Sequence, residues 1–164
     1  DIGHYADPTS KGRTADSLDA VVLGATEVDV NYNVNVNTHS DGRLLHGIGG
    51  HQDTAAGADL TIITTPIFRK TNPIVRENVT TITTPGSVID AIVTNRGIAI
   101  NPIRKDLLKT IKGTIQTIPI EELKAMAYDV TGTPREPHLG DEIIGIIKWF
   151  DGTVIDMIRV VKEE

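Results

Sequence analysis

Gly47-Ile48-Gly49-Gly50-His51-Gln52-Asp53-Thr54-Ala55-Ala56-Gly57-Ala58-Asp59-Leu60-Thr61-Ile62-Ile63-Thr64-Thr65-Pro66 reads as a loop, a short helix and a buried strand in succession. Three glycines in four positions permit a tight turn with bare backbone. Asp53 or Thr54 is placed to cap a short helix, because a side-chain oxygen there can take an unpaired N–H of the first turn. Leu60–Thr65 is a short apolar and β-branched run closed by Pro66, the pattern of a strand covered on both faces in a parallel sheet. Leu18–Leu23, stopped by Gly24, reads the same way. The two runs predict buried central strands of a mixed α/β fold, a largely parallel sheet with flanking helices.

The segments around this centre fill in the architecture. Val28–Asn37 alternates, with Val28, Val30, Tyr32, Val34 and Val36 on one face and Asp29, Asn31, Asn33, Asn35 and Asn37 on the other, so a single period-two strand is expected. Asp41-Gly42 is a turn signal, and Arg43–His46 is placed to return as its partner. Val79–Thr83 is short and alternating, and Ala91–Thr94 and Ile98–Ile100 flank Asn95-Arg96-Gly97 as a hairpin. Arg104–Lys112 reads as a short helix. Ile120–Thr131 is the clearest helix: Pro119 suits its start, Glu121 and Glu122 complement the dipole, and Ile120, Leu123, Met126, Ala127 and Val130 form one apolar stripe. Gly132 and Pro134 end it. Ile143–Phe150 and Thr153–Val161 flank Asp151-Gly152, a second hairpin. Residues 1–16, broken by Gly3, Pro8 and Gly12, read as an irregular lead-in or linker to a domain over 17–164. The chain opens on Asp rather than Met and is expected to be a piece of a longer polypeptide.

Composition narrows the function classes. With 164 residues the chain is one ordinary domain. The absence of cysteine excludes disulfides, thiolate metal sites and cysteine nucleophiles. Sixteen Lys and Arg against 22 Asp and Glu give a net charge of −6, which argues against a general nucleic-acid binder. No apolar run approaches the ~20 residues of a membrane span, and the first ten residues are polar, so no membrane and a cytoplasmic location are expected. Aromatics are 4% against 39% hydrophobics, so Ile, Val, Leu and Ala must build the core.

Several residues could carry chemistry. The N–H groups of Gly47, Gly49 and Gly50 could hold an anion or a developing oxyanion; the bland reading is a tight turn. Neither a dinucleotide fingerprint nor a Walker loop is present. His39, His46, His51 and Asp53 match no standard metal spacing, so no metal is expected. His51, directly after the glycines, could instead orient a carboxylate or thioester oxygen. The asparagine ladder either lines a polar cleft or faces solvent. Glu27 or Asp29 could act as a base if buried. Arg96, Arg104 and Lys105 form a small basic spot suited to phosphate. Ser10, Ser17, Ser40 and Ser87 lack a nucleophile context.

The segments Leu18–Ala25, Val28–Asn37, Gly47–Ala58 and Thr84–Pro102, in that order, resemble the coenzyme A transferase superfamily. Within it, Gly49–Ala58 and Val34-Asn35-Val36-Asn37 most closely resemble the α-subunit family of citrate lyase. The resemblance implies a CoA-transferase-like fold and a subunit of two related α/β halves, of which this is the second. It implies exchange of acetyl for citryl on an acyl-carrier-protein thioester, with release of acetate. The substrate would be the carrier's prosthetic group derived from coenzyme A, or acetyl-CoA; no covalently bound cofactor is implied. The implied partners are the upstream half of the chain, the citrate lyase β subunit, the acyl carrier protein subunit and citrate. The Ser-Glu-Asn-Gly segment that supplies a covalent glutamate in related ketoacid transferases is absent. That fits direct transfer and leaves the catalytic residue unassigned. Gly49 and Gly50 are then the oxyanion donors, and Gly47, His51, Gln52, Asp53, Asn33 and Asn35 the candidate substrate or thioester contacts. Alone, the half is expected to fold without measurable exchange. The alternatives are a non-catalytic docking half or a small-molecule-binding regulatory domain of the same fold.

Overall fold

The computed structural model describes Tyr5 and residues 10–162. Half of the irregular lead-in, residues 1–4 and 6–9, therefore lies outside the described residues, and Thr14–Ser17 forms one 3-10 turn.

The central sheet has four strands, β1 (Val21–Gly24), β4 (Thr61–Thr64), β8 (Ala91–Val93) and β9 (Ile98–Ile100), in the order β1-β4-β8-β9. The β1–β4 and β4–β8 pairs are parallel, and β8–β9 is the expected antiparallel hairpin. Leu60–Thr65 thus supplies a central strand, with Ile63 fully buried. Leu18–Leu23 does not: its strand starts at Val21 and is the sheet edge, and Val22 is 61% exposed. An edge strand has a neighbour on one side only, so a run of apolar residues does not by itself place a strand in the middle.

The alternating segment Val28–Asn37 is not one strand. It splits into β2 (Glu27–Asp29) and β3 (Val34–Asn35), paired antiparallel, with β7 (Val75–Arg76) parallel to β2 on its other side. The Asp29 carboxylate accepts from the N–H groups of Asn31 and Asn33, both at 2.9 Å. This local capture of backbone donors competes with the ladder and reverses the chain. Tyr32 takes φ +64 in the turn, and its hydroxyl donates to Ile100 O at 2.8 Å, joining the two sheets.

Val79–Thr83 forms no regular strand; Thr80 N–H goes to the Glu27 side chain at 2.7 Å, Ile82 N–H to the Asp156 side chain at 2.7 Å, and Thr83 N–H to Val34 O at 2.9 Å. Arg43–His46 returns only as a single Thr38–Leu44 bridge across the Asp41-Gly42 turn, where Gly42 has φ +86. A small hairpin, β5 (Phe68–Arg69) and β6 (Asn72–Pro73), precedes β7.

The helices are α1 (His51–Gly57), α2 (Lys105–Ile111) and α3 (Ile120–Thr131). The last closes as expected on Gly132, whose N–H bonds Tyr128 O with φ +75. Ile120, Leu123 and Ala127 join the buried core that also holds Val28, Val34, Val75 and Ile92, whereas Met126 and Val130 of the expected stripe are exposed. Each fully buried aliphatic side chain here contributes ~1.5–3 kcal/mol. The chain ends in the antiparallel ribbon β10 (Leu139–Lys148) and β11 (Val154–Val161) around Asp151-Gly152. No described helix is long and apolar enough to cross a membrane.

Candidate functional site

The glycine loop enters α1 beside the carboxyl end of β1, the side of an α/β sheet where ligands characteristically bind. The helix begins at His51 with Gly50 as its N-cap and no side-chain cap. The expected capping by Asp53 or Thr54 is therefore corrected. Asp53 lies inside the first turn, and the Thr54 hydroxyl donates back to Gly50 O at 2.8 Å. Burial raises the Asp53 carboxyl, opposed by the charge of Arg13.

Gly47, Gly49 and Gly50 are exposed, and Gly49 has φ +64. A β-carbon on Gly47 or Gly49 would meet nothing within 4 Å. At position 49 glycine is thus favoured by backbone conformation, not by lack of room. Among the described residues, no acceptor takes the N–H groups of Gly47, Ile48, Gly49 or Gly50. The loop borders a cleft of about 310 Å³ lined by Gly24, Ala25, Thr26, Val36, His46, Ile48 and His51.

The polar side chains near the loop are turned inward. His51 bonds Gly24 O through Nε2 at 3.2 Å and the Thr84 hydroxyl through Nδ1 at 2.8 Å. A carbonyl can only accept, so Nε2 carries the hydrogen and Nδ1 accepts. Burial lowers the imidazole pKa against the opposing pull of the Gly24 carbonyl, so the ring is held neutral. Gln52 donates to Thr83 O at 2.5 Å. Both side chains clamp α1 to the Thr83-Thr84 segment, and both of the imidazole's hydrogen bonds are made inside the protein.

The asparagine ladder is likewise internal in its central members. Asn35 donates to Glu27 at 2.9 Å and to Thr38 O at 3.1 Å, and its Oδ1 accepts from the N–H groups of Asn37 and Thr38. Asn33 donates to Asp29 at 3.1 Å and accepts from Gly86 N–H at 2.9 Å. Only Asn31 is exposed. Asn33 and Asn35 are thus fasteners of the β2–β3 turn, not an open polar face.

Both carboxylates singled out as bases are buried, but each is committed. Asp29 is bound to its own turn, and burial raises it against those hydrogen bonds. Glu27 pairs with the fully buried Arg76 and accepts from Asn35 and Thr80. Burial pushes the Glu27 carboxyl up, but the guanidinium and these donors outweigh it and hold it below the usual carboxylate range. Sequence reasoning missed Arg76, which stands 49 positions from its partner and follows an apolar pair in an otherwise ordinary strand.

The expected basic spot is neutralised at its centre. Arg104 is clasped by Asp90 at 2.6 Å and Asp106 at 2.9 Å, bonds that raise the guanidinium further. Among the described residues no group of three or more His, Asp or Glu side chains could hold a metal ion.

The sequence profile described as "Citrate lyase, alpha subunit (CitF)" matches residues 1–161. The citrate lyase alpha chain of Klebsiella pneumoniae is 47% identical over 159 residues, covering 96% of this chain and 31% of that protein. The corresponding chain of Escherichia coli is 43% identical over 160 residues, covering 97% and 31%. A crystal structure described as the alpha subunit of citrate lyase in complex with citrate, from Streptococcus mutans, superposes with a TM-score of 0.96 at 44% identity, covering 99% of this chain and 32% of that one. The chain thus spans about a third of the length of the relatives it matches. It belongs to the citrate lyase α-subunit family.

Proposed function

We propose that this chain is the part of a citrate lyase α subunit that forms one wall of the site where acetyl is exchanged for citryl on a CoA-type thioester. The rest of the α subunit supplies the other wall, the acyl carrier protein presents the thioester, and the β subunit uses the citryl product. The observation that carries this reading is the exposed Gly47–Gly50 loop, whose N–H groups have no acceptor among the described residues, beside the carboxyl end of a parallel strand. The citrate-bound Streptococcus mutans relative supports citrate as the acyl acceptor.

The reaction balances without a side-chain nucleophile. A citrate carboxylate oxygen adds to the acetyl thioester carbon, and the C–S bond breaks to give a mixed anhydride and a thiolate. The thiolate then adds to the citryl carbonyl of the anhydride, and acetate leaves. Both additions place negative charge on a former carbonyl oxygen. Gly49 and Gly50 N–H groups fixed in advance stabilise that charge by ~3–4 kcal/mol per well-placed donor. Holding both reactants side by side supplies much of the remainder. His51 and Gln52 act here by holding α1, and with it the loop, against Thr83-Thr84.

The test is exchange of labelled citrate into the carrier thioester by the full α subunit carrying Gly49→Val. Valine is poorly tolerated at φ +64, so the loop must leave its present path and the donors go with it. A loss on the order of 100-fold in turnover is expected for one misplaced donor. Gly49→Asn, which accepts left-handed backbone, should stay within a few-fold of the parent. Unchanged turnover in Gly49→Val removes the loop from the reaction, and gross unfolding supports the turn-only role.

A further inference from the structure

The cleft at the glycine loop does not end there. It shares Thr26 with a second cavity of about 350 Å³ that is also lined by Arg69 and Lys70. That cavity shares His39, Ser40, Thr71 and Asn72 with a third, of about 540 Å³, bordered by Arg135, His138 and Lys162. The three form one groove running from the loop, past the β5–β6 hairpin, to the strand-ribbon base.

The charge along this groove is opposite to that of the chain. The sequence carries −6, yet Arg69, Lys70, Arg135 and Lys162 all border these two outer cavities. None of the four has a carboxylate partner among the described residues; Arg69 gives one N–H to Ala25 O at 3.2 Å. The two carboxylates in the groove are already matched, Asp41 by His39 and Arg43 and Glu136 by Arg76. Lys70 is held at φ +54 at the tip of its hairpin, a left-handed backbone uncommon for a residue other than glycine or asparagine. A groove with unmatched cations and a donor-rich loop at one end fits a long ligand with phosphates at the other.

We propose that this groove holds the phosphate-bearing arm of the CoA-type thioester, with Lys70 and Arg135 as phosphate contacts and the acyl end at Gly47–Gly50. The proposal rests on the thioester-exchange reading above and adds to it the binding residues for the carrier arm. Arginine and lysine there act as a fork and a point charge on phosphate oxygens, a charge-assisted contact. A citrate molecule is smaller than the groove's outer cavities and would leave most of these cations without a partner.

The test uses the full α subunit with Lys70→Ala, Arg135→Ala, their combination, and the charge reversal Lys70→Glu. Acetyl-CoA and pantetheine, which lacks the phosphates of coenzyme A, are titrated calorimetrically at two salt concentrations. Each lost phosphate contact is expected to weaken acetyl-CoA by about tenfold, and the combined variant should show a shallower salt dependence. Pantetheine binding and the KM for citrate should not move. Parallel exchange assays with free acetyl-CoA and with the carrier-bound thioester identify the source of the arm by which KM rises. Unchanged acetyl-CoA affinity overturns the proposal, as does equal weakening of acetyl-CoA and pantetheine, or a rise confined to the citrate KM. A failure here beside a strong Gly49→Val effect rejects only the groove; a silent Gly49→Val rejects the exchange reading itself.

Discussion

Replacing Arg76 by methionine should be among the most damaging single changes in this chain, and the structure sets its size. Arg76 and Glu27 are both fully buried, so removing the guanidinium leaves a carboxylate in the interior with neutral donors alone, those of Asn35, Thr80 and Ser40. Breaking one side of a buried pair costs about 3–5 kcal/mol. Part of that returns, because Arg76 Nε has no acceptor among the described residues and its removal relieves roughly 1 kcal/mol. The net expectation is a loss of about 2–4 kcal/mol, or roughly 10 °C in the midpoint of thermal unfolding for a domain of this size. The pair Glu27→Leu with Arg76→Met should recover most of it, since an apolar pair needs no compensation.

The effect also has a pH signature. Glu27 is held below its ordinary pKa of 4.5 in the folded chain, so its contribution is complete above that value and fades as pH falls through the folded value. Arg76→Met should flatten this acid-side slope. Thermal melts followed by circular dichroism across the acid range measure both quantities. A shift of under about 1 kcal/mol, or a double variant no better than Arg76→Met, would refute the reasoning.

Other consequences follow from close packing and from the shared site. Gly86→Ala should destabilise by about 1–3 kcal/mol, because a β-carbon there would lie 2.0 Å from Asn31 O and push the Thr84-Pro85-Gly86 segment off the β2–β3 turn; denaturant melts check it, and a neutral result would show that the turn can shift. The isolated 164-residue chain should fold but show negligible citrate–acetyl exchange beside the full α subunit; comparable rates would place the whole site in this third of the protein.

Much of the architecture was legible because hydrophobic period and turn chemistry agreed. Ile120–Thr131, Asn95-Arg96-Gly97 and Asp151-Gly152 each carried consistent local signals, and each appears as expected. The failures came where side chains overrode the pattern. Val28–Asn37 alternates like a strand, but Asp29 captures two backbone donors and turns the chain, an option that a count of apolar positions does not weigh. Leu18–Leu23 looked central because apolar runs do not encode how many neighbours a strand will have. The site divided in the same way. An exposed loop with unclaimed N–H groups follows from its three glycines. The inward anchoring of His51, Gln52 and Asn33 depends on Thr84, Thr83 and Gly86, which lie 31–53 residues away in sequence. Glu27 could be flagged as a carboxylate in an apolar setting, but its pairing with Arg76 is a tertiary fact.

The most direct test of the central claim is a crystal structure of the full α subunit with citrate and a non-hydrolysable acetyl-thioester analogue. The account predicts an oxygen of the reacting group within about 3.1 Å of a backbone N–H of Gly49 or Gly50, with the cleft beside Gly24 and Thr26 filled. A reacting carbonyl bound elsewhere, with the Gly47–Gly50 N–H groups facing water, would contradict it.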